Sequence, residues 1–352
     1  MSTQEVGPDG TMMNTGDGMP KPSAEAEPKM MKAIVQDRYG LPDVLALRDV
    51  EVPVPTDDQL LIRVIAASLN IYDWHMITAT PFLVRAIAGF AKPKHPIPGA
   101  DVAGVVEQVG ANITRFKVGD EVFGDIGFGA FAQHAVAREK SLAHKPADTT
   151  FEQAASVALA GITALQGLRD VGGLEAGQKV LVNGASGGVG TFAVQIAKAL
   201  GAEVTAVCST TKVDMVRSIG ADKVIDYTKD DYVESERGYD LLFDNVGNRP
   251  WSATSRVLSP GGINVTITGP KHAVMGPMRE QLFRKVVAGF GKKRFAFFTA
   301  HVNPEDLEVL ADFLETDAIV PVIEATYDLE HLPDALRYLG DGHALGKLVV
   351  SV

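Results

Sequence analysis

The sequence predicts an α/β fold in two parts, a doubly wound parallel sheet joined to a β-rich domain, and three observations carry that prediction. Between about residues 178 and 301, strand-like and helix-like segments alternate, the pattern of a parallel sheet covered by helices on both faces. Before about residue 150, short Val- and Ile-rich segments punctuated by Gly and Pro dominate, which suits an irregular antiparallel barrel or sandwich. Where the pattern changes, directly after the first strand of the alternating region, stands LVNGASGGVG at 181–190.

In chain order, residues 1–29 are rich in Gly, Pro, Ser and Glu with few large apolar side chains, and read as a disordered tail. They lack the basic and apolar regions of a signal peptide. KAIVQ (32–36), QLLIRVIAAS (59–68), DVAGVVEQVG (101–110), DEVFG (120–124) and AFAQHAVA (130–137) are the strands of the first domain. Residues 70–96 interrupt them with helix-like apolar spacing and a Pro-rich end. QKVLVNG (178–184) opens the second domain; in the helix after it Val189, Phe192, Ala193, Ile196, Ala197 and Leu200 share one face. AEVTAVCS (202–209), DKVIDY (222–227), DLLFDNVG (240–247), GGINVTITG (261–269) and RFAFFTAH (294–301) continue the strands, with TKVDMVRSIG (211–220) a helix between the first two. The last fifty residues give helix, strand, helix and strand, and return to the first domain. The boundaries are therefore 30–151 with 301–352 for one domain and 152–300 for the other.

A net charge of -11 argues against nucleic acid or an anionic membrane as partner, since both select a basic face. No uncharged apolar run of about 18 residues suggests a spanning helix. Cys208 is the single cysteine, so neither a disulfide nor a cysteine zinc knuckle forms within the chain, which suits a reducing cytoplasm.

The stretch at 181–190 fits two motifs. Gly184-Ala185-Ser186-Gly187-Gly188 matches the nucleophile elbow of hydrolases, with Ser186 as nucleophile and Asp244 and the histidines 272, 301, 331 and 343 available downstream. Ala185, Gly187 and Gly190 match a relaxed G-x-G-x-x-G, which cradles a dinucleotide pyrophosphate at a helix N-terminus. Position favours the second: the motif follows the first strand of the α/β region, and Gly190 suits the close helix-to-strand packing an elbow does not need. Ala185, Ser186, Gly187, Gly188, Val189 and Gly190 are thus candidate cofactor-binding residues. NAD folds place an acid at the end of the second strand for the ribose 2′-hydroxyl. Here that end reads Cys208, Ser209, Thr210, Thr211, Lys212. Hydroxyls and a cation there, with Tyr227 at the end of the third strand, favour NADPH. The plainer alternative makes Ser209 and Thr211 helix caps and Lys212 a surface charge.

GADVAGVVEQVG (99–110), VGDEVFG (118–124), AGITALQGL (160–168), NGASGGVGTFAVQIAKALGAEVTAVCS (183–209), IGADKVIDY (219–227), DNVG (244–247) and GKLVV (346–350) together resemble the medium-chain dehydrogenase/reductase superfamily, in its zinc-free, quinone-oxidoreductase-like branch. The resemblance covers nearly all of 31–352. It implies a Rossmann doubly wound parallel sheet plus a GroES-like β-barrel catalytic domain, with substrate in the cleft between. Zinc members read C-x-[ST]-D-x-H where this chain has Asn70-Ile71-Tyr72-Asp73-Trp74-His75, and G-H-E where it has Gly99-Ala100-Asp101; their later cysteine falls at or near Ala160. An amide and two methyl groups cannot ligate a tetrahedral zinc, so no metal is expected.

Without a Lewis acid, direct hydride transfer from NADPH suits substrates already electrophilic, namely quinones, enones and enals. The resemblance places Tyr72 and His75 where relatives keep a substrate-facing hydroxyl and a proton-relay histidine, and Asn70 near the nicotinamide ribose. Tyr72 is the candidate donor to the substrate oxygen and His75 a proton source or a structural histidine. Asn245, Gly247 and Lys347 complete the cofactor candidates. Phe82, Leu83, Val84 and Phe90 suit a pocket wall, a core helix or a dimer contact. Relatives commonly pair through the cofactor domain, which implies a homodimer. The alternatives are an NADP-linked alcohol or carbonyl oxidoreductase without zinc, and a low-turnover NADPH-binding protein with a structural or redox-sensing role.

Overall fold

Strand-forming runs of Val, Ile and Ala in the first third of the chain pair as expected, with one addition. The computed structural model describes residues 28–267, 292–342 and 344–352. The tail expected over 1–29 lies outside them except for Pro28 and Lys29, as do His272 and His343. β1 (Met30–Gln36) pairs antiparallel with β2 (Leu45–Glu51), a strand that sequence reading missed because LALRDVE is mostly exposed. β3 (Gln59–Leu69), β4 (Asp101–Val109), β5 (Glu121–Asp125), β6 (His134–Arg138) and β7 (Leu142–His144) follow. They build a seven-stranded sheet ordered β14-β15-β3-β4-β5-β7, in which β6 also pairs β3. Two register shifts along β3 against β4 bend the sheet, as bulges do in barrels. β14 (Ile323–Asp328) and β15 (Lys347–Ser351) come from the C-terminal end of the chain, and β15 lies antiparallel to β3.

The segment 70–96 is not one helix. α1 (Ile71–Thr78) stops at Ala79, which takes a left-handed conformation, and a short 3-10 turn leads into α2 (Arg85–Ala88). Phe82, Leu83 and Phe90 stay about half exposed or more, so the core-helix reading does not hold for them.

The second sheet is parallel and six-stranded: β8 (Lys179–Asn183), β9 (Glu203–Cys208), β10 (Lys223–Asp226), β11 (Tyr239–Asp244), β12 (Leu258–Thr266) and β13 (Arg294–Phe297), in the order β10-β9-β8-β11-β12-β13. The chain starts in the middle, runs outward to one edge and then to the other, so the direction reverses between β8 and β11. Crevices outside the carboxyl ends of strands at such a reversal bind ligands.

α3 (Phe151–Leu165) was not foreseen. Thr150 caps it, with Gln153 returning the bond to the cap's own N–H. Its FEQAASVALAGITAL run is buried nearly all round and shares a core with Ala66, Ala103 and Phe123 of one sheet and Val182 and Phe192 on the other side. A helix buried on both faces shows no polar stripe, which removes the usual signature. α4 (Gly188–Ala199), α5 (Val213–Ser218), α6 (Tyr232–Ser235), α7 (Trp251–Val257), α8 (Pro304–Glu315) and α9 (Leu332–Gly340) are the other helices used below. No described helix is long and apolar enough to cross a membrane.

Candidate cofactor and active site

The glycine-rich loop joins β8 to α4. Gly184 sits at φ +80°, where a side chain is strained, and a Cβ on Gly190 would stand 2.1 Å from the Gly184 carbonyl oxygen. That contact is the close packing expected of the third glycine. The Ala185 N–H donates to Val207 O on β9 at 3.0 Å. Gly187, at the N-cap of α4, has no side chain to bond the first N–H groups of the helix, leaving them for an anion. The Ser186 carbonyl accepts from the N–H of Gly346 at 2.8 Å, and Gly187 forms a parallel bridge with Gly346. Chain from the C-terminal strand therefore lies against the dinucleotide loop. Among the described residues no hydrogen bond joins the Ser186 hydroxyl to a histidine.

That seam delivers Lys347. Its ammonium, 2% exposed, donates to Asn70 Oδ1 at 2.5 Å and stands 3.6 Å from Asp101 Oδ2. The Asn70 amide donates to Asp101 Oδ2 at 2.8 Å, and Asp101 also accepts from the Ser68 hydroxyl at 2.9 Å and the Leu159 N–H at 3.0 Å. Asn70 is fixed as acceptor toward lysine and donor toward carboxylate. Asp73, from the same turn of α1, accepts the Asn70 N–H at 2.8 Å, an N-terminal capping arrangement. A Cβ on Gly188 would touch the Lys347 side chain at 3.2 Å. Asn70, Lys347 and the loop 184–190 thus form one constellation.

Acids surround it that the sequence does not bring together. Burial pushes the Asp73 carboxyl up to about 8, opposed by the Asn70 N–H bond and helped by neighbouring Asp101. Burial, then Asp101, pushes Asp125 up to about 7 against the pull of the Gly127 N–H and Lys347. Burial lowers Lys347, and Asp101 and Asp73 oppose this. Asp73 and Asp125, crowded with Asp101 around one ammonium in a low dielectric, therefore hold their protons into the neutral range. The sequence signal was present in Asp101, an acid opening the apolar run DVAGVV, but it was read only as a replaced zinc position.

Tyr72 lies on α1 with its ring 6.2 Å from that of Phe128. Burial, then Asp73 and Asp125, hold its hydroxyl above the usual phenol range, so it keeps its proton as a donor. His75 Nδ1 contacts the Thr80 carbonyl at 2.5 Å. A carbonyl only accepts, which assigns the proton to Nδ1. Ser209, Lys212 and Tyr227 stand at the carboxyl ends of β9 and β10, with the Tyr227 N–H on Cys208 O at 3.0 Å. Asn245 and Gly247 follow β11. The Asn245 N–H donates to Asn183 O at 3.1 Å, and neither polar atom of its amide side chain has a hydrogen-bond partner. These candidates and the loop 184–190 therefore follow the carboxyl ends of β8, β9, β10 and β11, while Lys347 reaches the loop from β15. The glycine cradle and the unpartnered Asn245 amide fit a dinucleotide.

The zinc positions do not fit a metal: Asn70 is engaged as above, and Ala100 and Ala160 are buried methyl groups. Among the described residues the one metal-like group is Asp328, Glu330 and His331, all exposed.

Residues 56–147 match a family model described as alcohol dehydrogenase GroES-like domain, and residues 219–350 one described as zinc-binding dehydrogenase. The chain is 36% identical to the 2-methylene-furan-3-one reductase of Solanum lycopersicum, over 92% of this chain and 79% of that one. It is 36% identical to the chloroplastic NADPH-dependent alkenal/one oxidoreductase of Arabidopsis thaliana, over 92% and 80%. A solved quinone oxidoreductase from Coxiella burnetii superposes with a TM-score of 0.82 at 29% identity, over 92% of this chain and all of that one. The cytoplasmic expectation is overturned: similar relatives carry "chloroplastic" or "mitochondrial" in their names. A lone cysteine reports a reducing medium, and that property does not single out one compartment.

Proposed function

The chain belongs to the medium-chain dehydrogenase/reductase superfamily, and from that premise we propose that it transfers hydride from NADPH to a quinone or an α,β-unsaturated carbonyl without zinc. The observation that carries this is the seam at Ser186 and Gly346, which sets Lys347 and Asn70 beside the dinucleotide loop. When bound, the nicotinamide supplies a hydride; the chain's own residues do the rest. Asn70, locked by Asp101 and Lys347, orients the ribose end of the cofactor. Tyr72 donates to the substrate oxygen, where negative charge grows as hydride arrives. His75 stays a candidate for the proton, and Ser209, Lys212 and Tyr227 take the 2′-phosphate. Asn245 and Gly247 line the nicotinamide side. Relatives named as quinone, alkenal/one and furanone reductases support the substrate class, and the donor set at the zinc positions supports metal independence. The same reading includes assembly as a homodimer, checked by light scattering.

The retained proton on Tyr72 favours a second reading, reduction of saturated carbonyls, because an oxygen-directed donor is what such substrates need in place of zinc. One experiment separates them: NADPH oxidation followed by absorbance against an ortho-quinone, a para-quinone, an enone, an enal and a saturated ketone, with and without chelator. Chelator-resistant turnover confined to quinones and conjugated carbonyls is expected. Turnover of the saturated ketone would move the assignment to carbonyl reduction, and loss with chelator would remove the zinc-free mechanism.

A further inference from the structure

Absence of an acid at the end of β9 favoured NADPH, yet an acid stands one strand over. β9 and β10 run parallel with Asp226 in register opposite Cys208. Its carboxylate is held by a dense set of donors: the Thr210 hydroxyl at 2.6 Å, the Thr228 hydroxyl at 2.8 Å and the Thr228 N–H at 3.0 Å, with Lys229 Nζ at 3.2 Å. These donors, led by Thr210, hold the carboxyl far below the ordinary range, so it is charged at every working pH. A hydroxyl has one proton. Thr210 gives its proton to Asp226, and Thr228 shares its own between Asp226 and Thr210. Two hydroxyls beside the expected 2′-phosphate are therefore committed elsewhere. A fixed negative charge lies next to Ser209, Thr211, Lys212 and Tyr227, the groups that the cofactor reading assigns to that phosphate.

We propose that Asp226 is a specificity-determining residue: its charge at the 2′ end of the adenosine ribose opposes the 2′-phosphate, narrows the preference for NADPH and lets NADH serve as well. The proposal rests on the cofactor reading above. Lys212 supplies attraction, and Asp226, partly offset by its pair with Lys229, supplies repulsion, so the NADPH-to-NADH ratio reports their balance. Like charges at a partly exposed site are screened by solvent, which sets the scale at about five- to ten-fold rather than thousands.

The test uses nicotinamide-free probes, 2′,5′-ADP and 5′-AMP, so that binding is read without turnover. Their affinities are measured by calorimetry on the full chain, on Asp226→Asn and on Thr210→Val. Asn keeps an acceptor oxygen for one of the two threonine hydroxyls and removes the charge. In Asp226→Asn the affinity for 2′,5′-ADP should rise about five- to ten-fold, that for 5′-AMP should hold within about two-fold, and the gain should shrink in high salt. Thr210→Val keeps the charge and strips a donor from it, so 2′,5′-ADP should bind more weakly while 5′-AMP is unchanged. An unmoved ratio, a fall in 2′,5′-ADP affinity in Asp226→Asn, or parallel loss for both probes would overturn the proposal, the last two marking Asp226 as a brace of the loop. Failure of both probes to bind the unmodified chain would instead overturn the cofactor reading, and the proposal with it.

Discussion

Lys347 shows how much one buried charge is asked to do. With Asn70 and Asp101 it ties β15 to the ends of β3 and β4 within one sheet, and its 2% exposure leaves its partners no water to turn to. Lys347→Met should cost about 3–5 kcal/mol of stability, because removing one partner leaves a buried carboxylate uncompensated; denaturant unfolding measures it. Asn70→Ala should weaken cofactor binding and lose the contact to Lys347 while leaving Asp101 its bonds to Ser68 and Leu159. The pH dependence has a definite sign. Asp73 and Asp125 hold protons in the folded chain up to about 8 and about 7, whereas unfolded carboxyls release them near 4. The folded state binds more protons between those values, so stability falls as pH rises from about 4 to 8. Asp73→Asn, which keeps an acceptor for the Asn70 N–H, should flatten that slope in melting curves taken across the range. Tyr72→Phe should lower turnover about a hundred-fold or more without matching loss of cofactor affinity, the signature of a donor acting on developing charge. At this scale motif and resemblance name the cofactor loop, Asn70, Tyr72 and Lys347 as candidates, and the structure brings Asn70, Lys347 and the loop together. Asp125 and Asp226 were hidden, because their roles depend on strand register, which brings Asp226 opposite Cys208 and Asp125 opposite Asp101.

Among the elements, the parallel strands were easiest to read and α3 the hardest. The helix of Val189, Phe192 and Ile196 has one apolar face against its sheet and shows it in sequence; α3 has two and shows none. Residues 70–96 failed differently, since apolar spacing alone did not register the break at Ala79 and Pro81. The turn into α4 is the element least tolerant of change. A methyl on Gly190 would overlap the Gly184 carbonyl, so Gly190→Ala should destabilise by roughly 1–3 kcal/mol and lower dinucleotide affinity by about ten-fold or more, read by calorimetry with 5′-AMP. Thr150→Ala, removing the α3 cap, should cost about 1 kcal/mol with affinity unchanged.

For the whole molecule, the net charge of -11 argues against nucleic acid as a general partner and says nothing about a small anion, whose fate is decided by a few local groups. Domain order and the return of the C-terminal strands to the first sheet followed from alternation in the sequence; the bend of that sheet did not, since it comes from register shifts along β3. A ligand that binds only the folded chain stabilises it by mass action, by about 2.7 kcal/mol at a hundred times its dissociation constant. NADPH should therefore raise the melting temperature in proportion to the logarithm of its concentration, and chelator should leave that shift untouched.

The seam between Ser186 and Gly346 has a mechanical consequence. The Gly346 N–H on the Ser186 carbonyl and the Gly187–Gly346 bridge tie the strand that carries Lys347 to the loop that opens α4. Whatever displaces one end of that tie is felt at the other: a shift of β15 disturbs the first N–H groups of α4, and a shift of the loop disturbs the ammonium beside Asn70.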